Sequence, residues 1–572
     1  MSAHVDRIYL HAPSVEAETP SLLPLHCPSV DDVEVHPLEY SPSTATPAPG
    51  AVVGCRLVLP KAHPKAAALK RALTVEARFV PSLRRRPRPT LFYELKSSYV
   101  LASKMAFVAA NIRVEVDARK TGDPLPDGTA YTNPRGLFPF QRMMRDLIME
   151  RLRCVGGGLA VAPCGVGKSE VIGSVIGECG LMALVMVPKR QVARQLVLLY
   201  QCRFPHLEVR QWDGSHKKVS KHTHIIVAVT NSVARLPKEV CASRGLIVLD
   251  EAHHAPAKTV QQALACFAAR YVVGLTATPY RSDGCEAVFP FMFGPMIVTV
   301  HRPWMPVIIR GLQFQETFDV QPESYSQAVN LLCENAAWTT MVLNAVLEMA
   351  RRAKENGGRV LVMVDRVRFA MEICAHVGGV ISDKQWKRLR TYETDRKTKK
   401  WKPTCAPTFA ESSEEVQKRF APFKSTLYVG VTMRDGEREA AGKVGDIVWS
   451  TNSMANEGLN LDNIHKEALF CKAKRPQQHV GRCLRITTMA DVPEIVFSTE
   501  NYVERLQGNA SSQTKYFEHY EGWPVEWIPH EQVTKRLAKD GTVPKEPTKT
   551  WVGHARKANM KRQRNGQKKK RS

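Results

Sequence analysis

Residues 159–169 read Leu-Ala-Val-Ala-Pro-Cys-Gly-Val-Gly-Lys-Ser, and this stretch decides the fold. The apolar run at 159–161 is typical of a buried strand, and a helical pattern begins near Glu170. Residues 162–169 between them match A-x-x-G-x-G-K-[ST], a variant of the phosphate-loop pattern in which Ala162 replaces the first glycine. Glycines let successive backbone N–H groups converge on phosphate oxygens, and the start of the following helix adds its positive end. A strand, this loop and a helix therefore predict a parallel α/β sheet that binds a nucleoside triphosphate.

The side chains of this loop predict its chemistry. Lys168 would neutralise the β- and γ-phosphates, and the Ser169 hydroxyl would bind Mg²⁺. A chance Gly-Lys-Ser turn is the alternative, because short motifs also occur without function. The residues that we expect to bind ATP here are Pro163, Cys164, Gly165, Val166, Gly167, Lys168 and Ser169.

Two carboxylates follow a second apolar run, at 246–249, in the sequence Asp-Glu-Ala-His. Carboxylates at the carboxyl end of a parallel strand face the crevice where ligands bind. Asp250 can hold Mg²⁺ and its water shell, and Glu251 can orient and deprotonate the water that attacks the γ-phosphate. A pair of exposed acids at a strand end is the alternative, which the upstream phosphate loop disfavours. Because His253 and His254 are adjacent and no third ligand has metal spacing, we expect polar coupling from them rather than zinc binding.

Short apolar runs alternate with longer helical patterns through two regions, 136–300 and 301–505. This alternation predicts an α/β fold with two tandem parallel-sheet domains. A helix is predicted over 335–355, because Asn356-Gly357-Gly358 supplies a stop signal. The predicted strands are 159–161, 181–187, 225–229, 246–249 and 271–275 in the first region, and 360–364, 427–431, 447–449, 468–470 and 495–497 in the second.

The composition points to an anionic partner. The chain has 572 residues, 44% hydrophobic and 24% charged, which excludes a mini-protein and a wholly disordered or fibrous chain. Its net charge of +26 favours nucleic acid, with a membrane surface as the alternative. No apolar run is long enough to span a bilayer, and residues 1–10 lack the pattern of a secretory signal, so we expect a soluble, intracellular protein. Fourteen cysteines without a C-x-x-C pair fit neither a dense disulfide framework nor a zinc knuckle.

The flanking segments differ in charge. Residues 1–50, with eight prolines and seven acids against one basic residue, predict a disordered acidic arm that could bind protein partners or fold back on the next region. Residues 51–135 predict a small basic N-terminal domain. A basic insertion, 381–424, interrupts the second α/β series; its aromatic residues Trp386 and Trp401 are candidates for base stacking, although an exposed loop with incidental aromatics is favoured. The extension 506–572 ends in a disordered tail with nine basic residues at 556–571, typical of nucleic-acid binding or nuclear localisation, or merely of solubility.

The order of the motifs resembles the superfamily 2 helicases with a DEAH-type box, over about residues 135–500. Residues 274–281 resemble motif III of that family, 230–232 its T-x-x-S element, 188–191 motif Ia, 138–141 the segment before the phosphate loop, 452–460 motif V and 478–485 motif VI. The closest likeness is to the XPB-like group, which includes helicases of large DNA viruses. Ser282 stands where cellular XPB proteins carry Glu, and we find no room for their thumb insertion, so a role in opening promoters is not implied.

This resemblance implies two RecA-like domains, ATP and Mg²⁺ as cofactors, and movement along nucleic acid, with single-stranded or duplex DNA favoured over RNA and 3′ to 5′ polarity. It places Gln141 near the adenine and Gly458 of motif V at the nucleotide. It also implies arginine fingers at Arg482 and Arg485, which with Gln478 would act on the phosphates from the second domain. Contacts to the nucleic-acid backbone are implied for Pro188, Lys189, Arg190 and Thr230.

Two other functions remain open at this point. A nucleic-acid-binding scaffold could keep the fold without hydrolysis, although the lysine, both acids and both arginines are present. The chain could also be the motor subunit of a nuclease complex, although the terminal regions carry no convincing nuclease motif.

Overall fold

A computed structural model describes residues 28–38, 40, 51–76, 89–163, 165–279, 281, 283–303, 305–316, 318, 322–395, 398, 400–430, 432–455, 461, 463–470, 492–500, 506 and 513–545. Several predictions from the sequence lie outside these residues. They concern Cys164, Gly458, all of motif VI with Gln478, Arg482 and Arg485, and the basic tail.

The N-terminal part forms a small sheet of its own. Its strand order is β6-β7-β3-β2-β8, with β4 and β5 paired separately. The first strand, β1, leaves this unit and joins the edge of the first large sheet. The elements are β1 (Val33–Val35), β2 (Ala51–Val53), β3 (Arg56–Pro60), α1 (Ala66–Ala72), β4 (Thr74–Val75), β5 (Thr90–Leu91), β6 (Glu94–Leu95), β7 (Tyr99–Ser103), α2 (Ala106–Ala109) and β8 (Val114–Asp117).

The first large domain is built on an eight-stranded sheet of order β1-β15-β9-β14-β13-β10-β12-β11. All its strand pairs are parallel except that of β1 with β15. The elements are α3 (Pro139–Val155), β9 (Gly157–Val161), α4 (Lys168–Cys179), β10 (Ala183–Val187), α5 (Arg190–Arg203), β11 (Val209–Trp212), β12 (Ile225–Val229), α6 (Lys238–Ala242), β13 (Leu246–Asp250), α7 (Lys258–Leu264), β14 (Tyr271–Thr276), α8 (Phe289–Phe293) and β15 (Met296–Val300).

The second large domain repeats this plan with seven parallel strands in the order β18-β19-β17-β20-β21-β16-β22. The elements are β16 (Ile308–Phe314), α9 (Tyr325–Cys333), α10 (Ala336–Glu355), β17 (Arg359–Val364), α11 (Val367–His376), α12 (Asp383–Glu393), α13 (Ser413–Phe420), β18 (Ser425–Tyr428), α14 (Asp435–Val444), β19 (Ile447–Thr451), α15 (Asn452–Ala455), β20 (Ile464–Leu469), β21 (Glu494–Glu500), β22 (Val525–Pro529) and α16 (Val533–Leu537).

Two parallel sheets in tandem confirm the predicted fold class. Every residue of β10 (Ala183–Val187) is buried, as expected for a strand covered by helices on both faces. Each predicted strand overlaps an observed one, and the predicted helix 335–355 matches α10 within one residue, with the Asn335 side chain accepting a hydrogen bond from the Trp338 N–H as its N-cap. Within the described residues, no helix combines the length and hydropathy needed to cross a bilayer.

The prediction of disorder over 1–50 is wrong for part of the arm. The strand Val33–Val35 pairs antiparallel with Met296–Val300, and Arg151 Nη2 donates to the carbonyl of His36 at 2.6 Å. The exposed edge of a sheet is a template for one more strand, and a short segment without apolar periodicity can fill it. The arm therefore contacts the first large domain through β1, and Tyr40 contacts the small basic domain, with its ring centroid 5.9 Å from that of Phe107.

The predicted start of the first large domain and the predicted end of the second also differ from the structure. After β8 the chain bridges Lys120 with Ala269 and Pro124 with Leu181, so residues of the predicted N-terminal domain lie along the first large sheet. Residues of the predicted C-terminal extension form β22, the edge strand of the second sheet. Helix α16 follows it and buries Val533 and Leu537 in the core of that domain.

The prediction that 381–424 is an exposed insertion is wrong in part. The segment contains two helices, α12 and α13, each beginning at a serine capping box. Leu389 of α12 and Val416 of α13 are buried in the core of the second domain, and Trp386 packs partly buried against that core. Many basic residues lie between these buried positions, so the apolar periodicity of the two helices was not recognisable in the sequence.

Candidate functional site

Three neighbouring strands of the first sheet position the candidate site. Strands β9, β14 and β13 lie side by side, so the loops after their carboxyl ends meet at one edge. That edge is where ligands bind in open parallel sheets. The loops carry the predicted phosphate loop after β9, the carboxylate pair at the end of β13, and Thr276 at the end of β14.

The phosphate loop has the backbone that its glycines predict. Gly165 and Gly167 have φ of 85° and 82°, in the left-handed region that side chains disfavour, and α4 starts directly after Gly167. A Cβ on Gly167 would lie 2.4 Å from Gln141 Nε2. Lys168 Nζ donates to the carbonyls of Ala162 and Pro163 at 3.2 and 3.1 Å, which directs the amine back over the loop.

Gln141 links α3 to this loop. Its Nε2 donates to the Val166 carbonyl at 2.8 Å, and its Oε1 accepts from the Phe138 N–H at 3.0 Å. The side chain is only 3% exposed. The structure therefore brings Gln141 to the phosphate loop, whereas its contact with an adenine stays a prediction.

Asp250 and Glu251 form a tightly spaced acidic pair opposite Lys168. The backbone N–H of Glu251 donates to Asp250 Oδ1 at 3.0 Å, and Glu251 has a φ of 54°, a left-handed conformation that is costly for a non-glycine residue. Burial and the neighbouring Glu251 carboxylate raise the pKa of Asp250 to about 6. Burial also acts to raise the pKa of Glu251, but its hydrogen bond with His253 and the charge of Lys168 outweigh burial and lower it.

His253 joins the acidic pair to the loop after β14. Its Nδ1 lies 3.2 Å from Glu251 Oε2, 3.1 Å from Thr276 Oγ1 and 3.4 Å from Thr278 Oγ1. Arg281 Nη1 donates to the His253 carbonyl at 2.5 Å. His253 thus contacts residues that resemble motifs II and III, whereas its polar coupling role stays a prediction.

A cavity of about 410 Å³ opens between the two large domains. The hydrogen bond from Gln191 Nε2 to the Tyr428 hydroxyl joins the domains beside it. Its lining carries the cationic side chains of Lys189 and Arg190 from the first domain and Arg438 from the second. The lining residues are Lys189, Arg190, Gln191, Asp213, Gly214, Val229, Ser232, Gly430, Arg438 and Met454.

The Thr230 hydroxyl is not free to contact a nucleic-acid backbone in this cavity, as its predicted role requires. Its hydroxyl donates to the Val187 carbonyl at 2.9 Å, and the residue is 6% exposed. The threonine thus ties the end of β12 to β10. A direct bond from its hydroxyl to a phosphate would require breaking that internal bond.

Asp213 was missed by the sequence analysis. Burial acts to raise its pKa, yet hydrogen bonds from the backbone N–H groups of His216 and Ser215 and from side chains lower it to about 2. Arg190 Nε lies 3.1 Å from Asp213 Oδ2, so this fixed anion holds the arginine at the cavity. The only signal in the sequence is Asp-Gly-Ser, typical of a turn after a strand.

Comparisons with known proteins show similarity to helicase-related sequences. Residues 137–281 match the family described as "Type III restriction enzyme, res subunit". A protein of Acanthamoeba polyphaga mimivirus, named as a candidate ATP-dependent RNA helicase, is 21% identical over 408 residues, covering 69% of this chain and 69% of that protein. The "DNA 3'-5' helicase XPB" of Mycobacterium tuberculosis is 28% identical over 216 residues, covering 35% of this chain and 38% of that protein.

These matches agree with the resemblance of the motifs to the superfamily 2 helicases, in the XPB-like group that includes proteins of large DNA viruses. The family match and these relatives named as helicases support the class predicted from the motifs, an ATP-hydrolysing helicase. Among solved structures, S. cerevisiae Dbp5 bound to RNA and ADP BeF3 is 12% identical to the helicase, with a TM-score of 0.45 and coverage of 69% of this chain and 93% of that one.

Proposed function

We propose that the helicase couples hydrolysis of Mg-ATP to movement along a nucleic-acid strand, with DNA as the substrate. This proposal rests on the positions of the triphosphate-binding residues and of a cationic cavity in the same pair of domains. The phosphate loop and the acidic pair share the carboxyl edge of the first sheet, and a cation-lined cavity separates that domain from a second parallel-sheet domain.

The residues at the edge of the first sheet fit a triphosphate with its metal ion. The charge of Lys168 acts on both the Asp250 and Glu251 carboxylates, yet burial and Glu251 still raise the pKa of Asp250. A divalent cation would offset this negative charge, and oxygen donors are the ligands that Mg²⁺ prefers. Ser169 and Asp250 would hold Mg²⁺, which when bound neutralises charge on the phosphates; the loop N–H groups and Lys168 would hold the phosphates themselves.

Glu251 is placed to act as the general base. Its pKa is below its ordinary value, so the carboxylate is ionised at neutral pH and can accept a proton from water. His253 Nδ1 lies 3.2 Å from Glu251 Oε2 and 3.1 Å from Thr276 Oγ1, so the orientation of the base depends on the loop after β14. In this proposal, His253 couples Glu251 to the loop after β14, and this loop transmits the binding of the nucleic-acid strand to the base.

Arg482 and Arg485 would complete the site from the second domain. Both lie outside the described residues, and their role rests on the resemblance of 478–485 to motif VI. A bidentate guanidinium stabilises charge that develops on the transferred phosphoryl group. If these arginines act only when the domains close, then closure and hydrolysis are linked, and opening and closing can advance the protein along a strand.

The cavity between the domains would hold the strand through its phosphates. Lys189 and Arg190 lie at the start of α5, where helix N-termini favour anions, and Arg438 faces them from α14. Phosphate contacts position a protein without reading sequence, and they make binding salt-dependent. DNA is favoured because the mycobacterial relative is named a DNA 3'-5' helicase, which also suggests 3′ to 5′ movement.

Arg190→Ala should weaken binding of single-stranded DNA by a similar factor for every sequence. It should also reduce the slope of log K against log salt by about 0.7, the contribution of one phosphate contact to a single strand. Asp213 keeps its bonds from Ser215 and His216 in this variant, so its loop should remain folded. Fluorescence anisotropy with labelled oligonucleotides at several salt concentrations measures both quantities.

Arg153→Ala is the matched control for this experiment. Arg153 is a largely exposed arginine near the end of α3, just before the amino end of β9, and it pairs with Glu178. The salt slope of the control should equal that of the wild type. An unchanged slope for Arg190→Ala as well would contradict the placement of the strand in this cavity.

The substrate and polarity are tested by strand displacement. Duplexes of DNA and RNA with either a 3′ or a 5′ overhang should be compared, with ATP turnover measured on the same nucleic acids. The proposal expects displacement of DNA from a 3′ overhang. If RNA stimulates ATP turnover and DNA does not, the substrate is RNA rather than DNA.

A further inference from the structure

A second aromatic and cationic surface lies on the second domain, apart from the residues that resemble helicase motifs. It is formed by α12 and the hairpin that follows, in which Thr394 bridges Trp401 antiparallel. Trp401 is 45% exposed and Tyr392 57%. In the part of the chain that the structure describes, one other aromatic residue is exposed, Trp527 in the edge strand β22, at 37%. We call this surface the α12 patch: Lys384, Lys387, Arg390, Tyr392, Lys400, Trp401 and Lys402, all exposed.

Trp401 is held in place by buried groups. Its Nε1 donates to Glu393 Oε2 at 3.2 Å, and Glu393 is buried. Burial acts to raise the pKa of Glu393, but the hydrogen bonds from Arg368 and Thr404 outweigh burial and keep that pKa below its ordinary value. The Arg368 guanidinium also lies 5.3 Å from the centroid of the indole ring. The indole is thus orientated before any ligand arrives, which reduces the entropy cost of binding on it.

The charge of the α12 patch selects the ligand. Among the described residues of 381–402, five exposed cations and two exposed aromatics occur in one short segment, against the exposed acids Asp383 and Asp395. Arg390 lies 5.4 Å from the centroid of the Trp401 ring, so a positive charge sits directly at the aromatic surface. A π-face flanked by cations fits an unpaired base and its phosphates, because stacking tolerates any base and the cations follow the backbone.

The α12 patch is connected to the cavity between the domains. Arg388 Nη1, on α12, donates to the Thr432 carbonyl at 2.9 Å and to Glu437 Oε2 at 2.8 Å. Thr432 is two residues from Gly430, and Glu437 is next to Arg438, and both of these neighbours line the cavity. Positions 388 and 390 point to roughly opposite sides of a helix, so Trp401 and the cavity flank α12 across its width of about 10–12 Å.

We propose that the α12 patch is a second binding site for single-stranded nucleic acid, where a base stacks on Trp401 and the exposed cations bind the flanking phosphates. This inference rests on the proposed function, because the strand must leave the cavity between the domains to reach the patch. The site would extend the grip on one strand without taking part in ATP hydrolysis. It would matter for strands long enough to cover the cavity and the patch together.

The test compares Trp401→Ala and Trp401→Phe with the wild type on oligo(dT) of about 6 and about 20 nucleotides, one within and one longer than the site sizes of about 4–16 nucleotides typical of single-strand binders. Trp401→Ala should bind the long oligonucleotide on the order of tenfold more weakly and the short one equally well. Trp401→Phe should restore most of the affinity, because the phenyl ring still stacks. ATP turnover without nucleic acid should be the same in all three proteins, which also shows that the variants are folded.

Matched controls separate this site from general effects of aromatic loss or charge. Trp527→Ala removes an exposed tryptophan from the opposite edge of the sheet and should leave binding unchanged. The double variant Lys400→Glu, Lys402→Glu should weaken binding of the long strand, and the same change at Lys535 and Lys539, exposed in and just after α16, should not match that effect.

The outcomes distinguish this inference from the proposed function. If the wild type binds the long strand and its turnover is stimulated, but Trp401→Ala behaves like the wild type, the α12 patch is not a binding site and the motor proposal stands. If the wild type neither binds nor responds to any single strand, both are overturned. Equal weakening on short and long strands would also overturn the patch, because it would place Trp401 in the primary site. Weakening only on duplex DNA would assign the patch to a different ligand.

Discussion

Glu251→Gln is expected to lower nucleic-acid-stimulated ATP turnover by about 10²–10⁴-fold, the usual contribution of a positioned general base. The amide keeps the size of the side chain and can still accept a hydrogen bond from His253 Nδ1, which lies 3.2 Å from Glu251 Oε2. It cannot take a proton from water at neutral pH. Affinity for ATP should change little, because the phosphate loop and Lys168 are intact. Steady-state turnover and binding of a fluorescent ATP analogue measure the two effects separately.

Glu178→Gln supplies the matched control for that variant. Glu178 pairs with Arg145 and Arg153 on the surface of the first domain, away from the carboxyl edge of the sheet. Its turnover should equal that of the wild type. A Glu251→Gln protein that hydrolyses ATP within about threefold of the wild-type rate would show that another group is the base, since a lost general base costs far more.

Arg482→Ala should lower stimulated turnover by about 10³–10⁵-fold, the range reported for arginine fingers. Arg482→Lys should not restore the rate, because an ammonium group cannot form the bidentate contact of a guanidinium. Binding of single-stranded DNA should be retained, since the cationic lining of the cavity is unchanged. Turnover at saturating DNA and anisotropy with labelled DNA measure these two properties on the same preparation.

Arg536→Ala serves as the control for loss of an arginine from the second domain. Arg536 pairs with Glu526 near the edge strand β22 and is half exposed. A rate for Arg482→Ala within about tenfold of the control would remove the arginine from the hydrolytic site, given the size of a finger's contribution. The role of motif VI in domain closure would then need another residue.

The predictions that succeeded rest on local patterns. An apolar run followed by a glycine-rich loop and a helix is typical of a phosphate-binding strand, loop and helix, so β9, Gly167 and Lys168 were predicted together from adjacent residues. The same holds for β13 and the pair Asp250 and Glu251, which follow a strand directly. Parallel strands covered on both sides need continuous apolar sequence, and this made most strands of both sheets recognisable.

The predictions that failed concern pairings between distant parts of the chain. Val33–Val35 pairs with a strand more than 260 residues away, and β22 joins a sheet whose other strands end at Glu500. Sheet edges accept short segments on backbone hydrogen bonds alone, so such segments carry little pattern of their own. The burial of the Thr230 hydroxyl and the fixing of Arg190 by Asp213 likewise depend on contacts between loops of different strands. No spacing in the sequence reports them.

The central claim is that the phosphate loop drives a nucleic-acid-dependent ATPase. ATP turnover of the full chain should therefore be measured with and without single-stranded DNA, for the wild type and for Lys168→Ala. DNA should raise the turnover of the wild type, and Lys168→Ala should have no measurable turnover in either condition. Normal DNA-stimulated hydrolysis by Lys168→Ala would contradict the account.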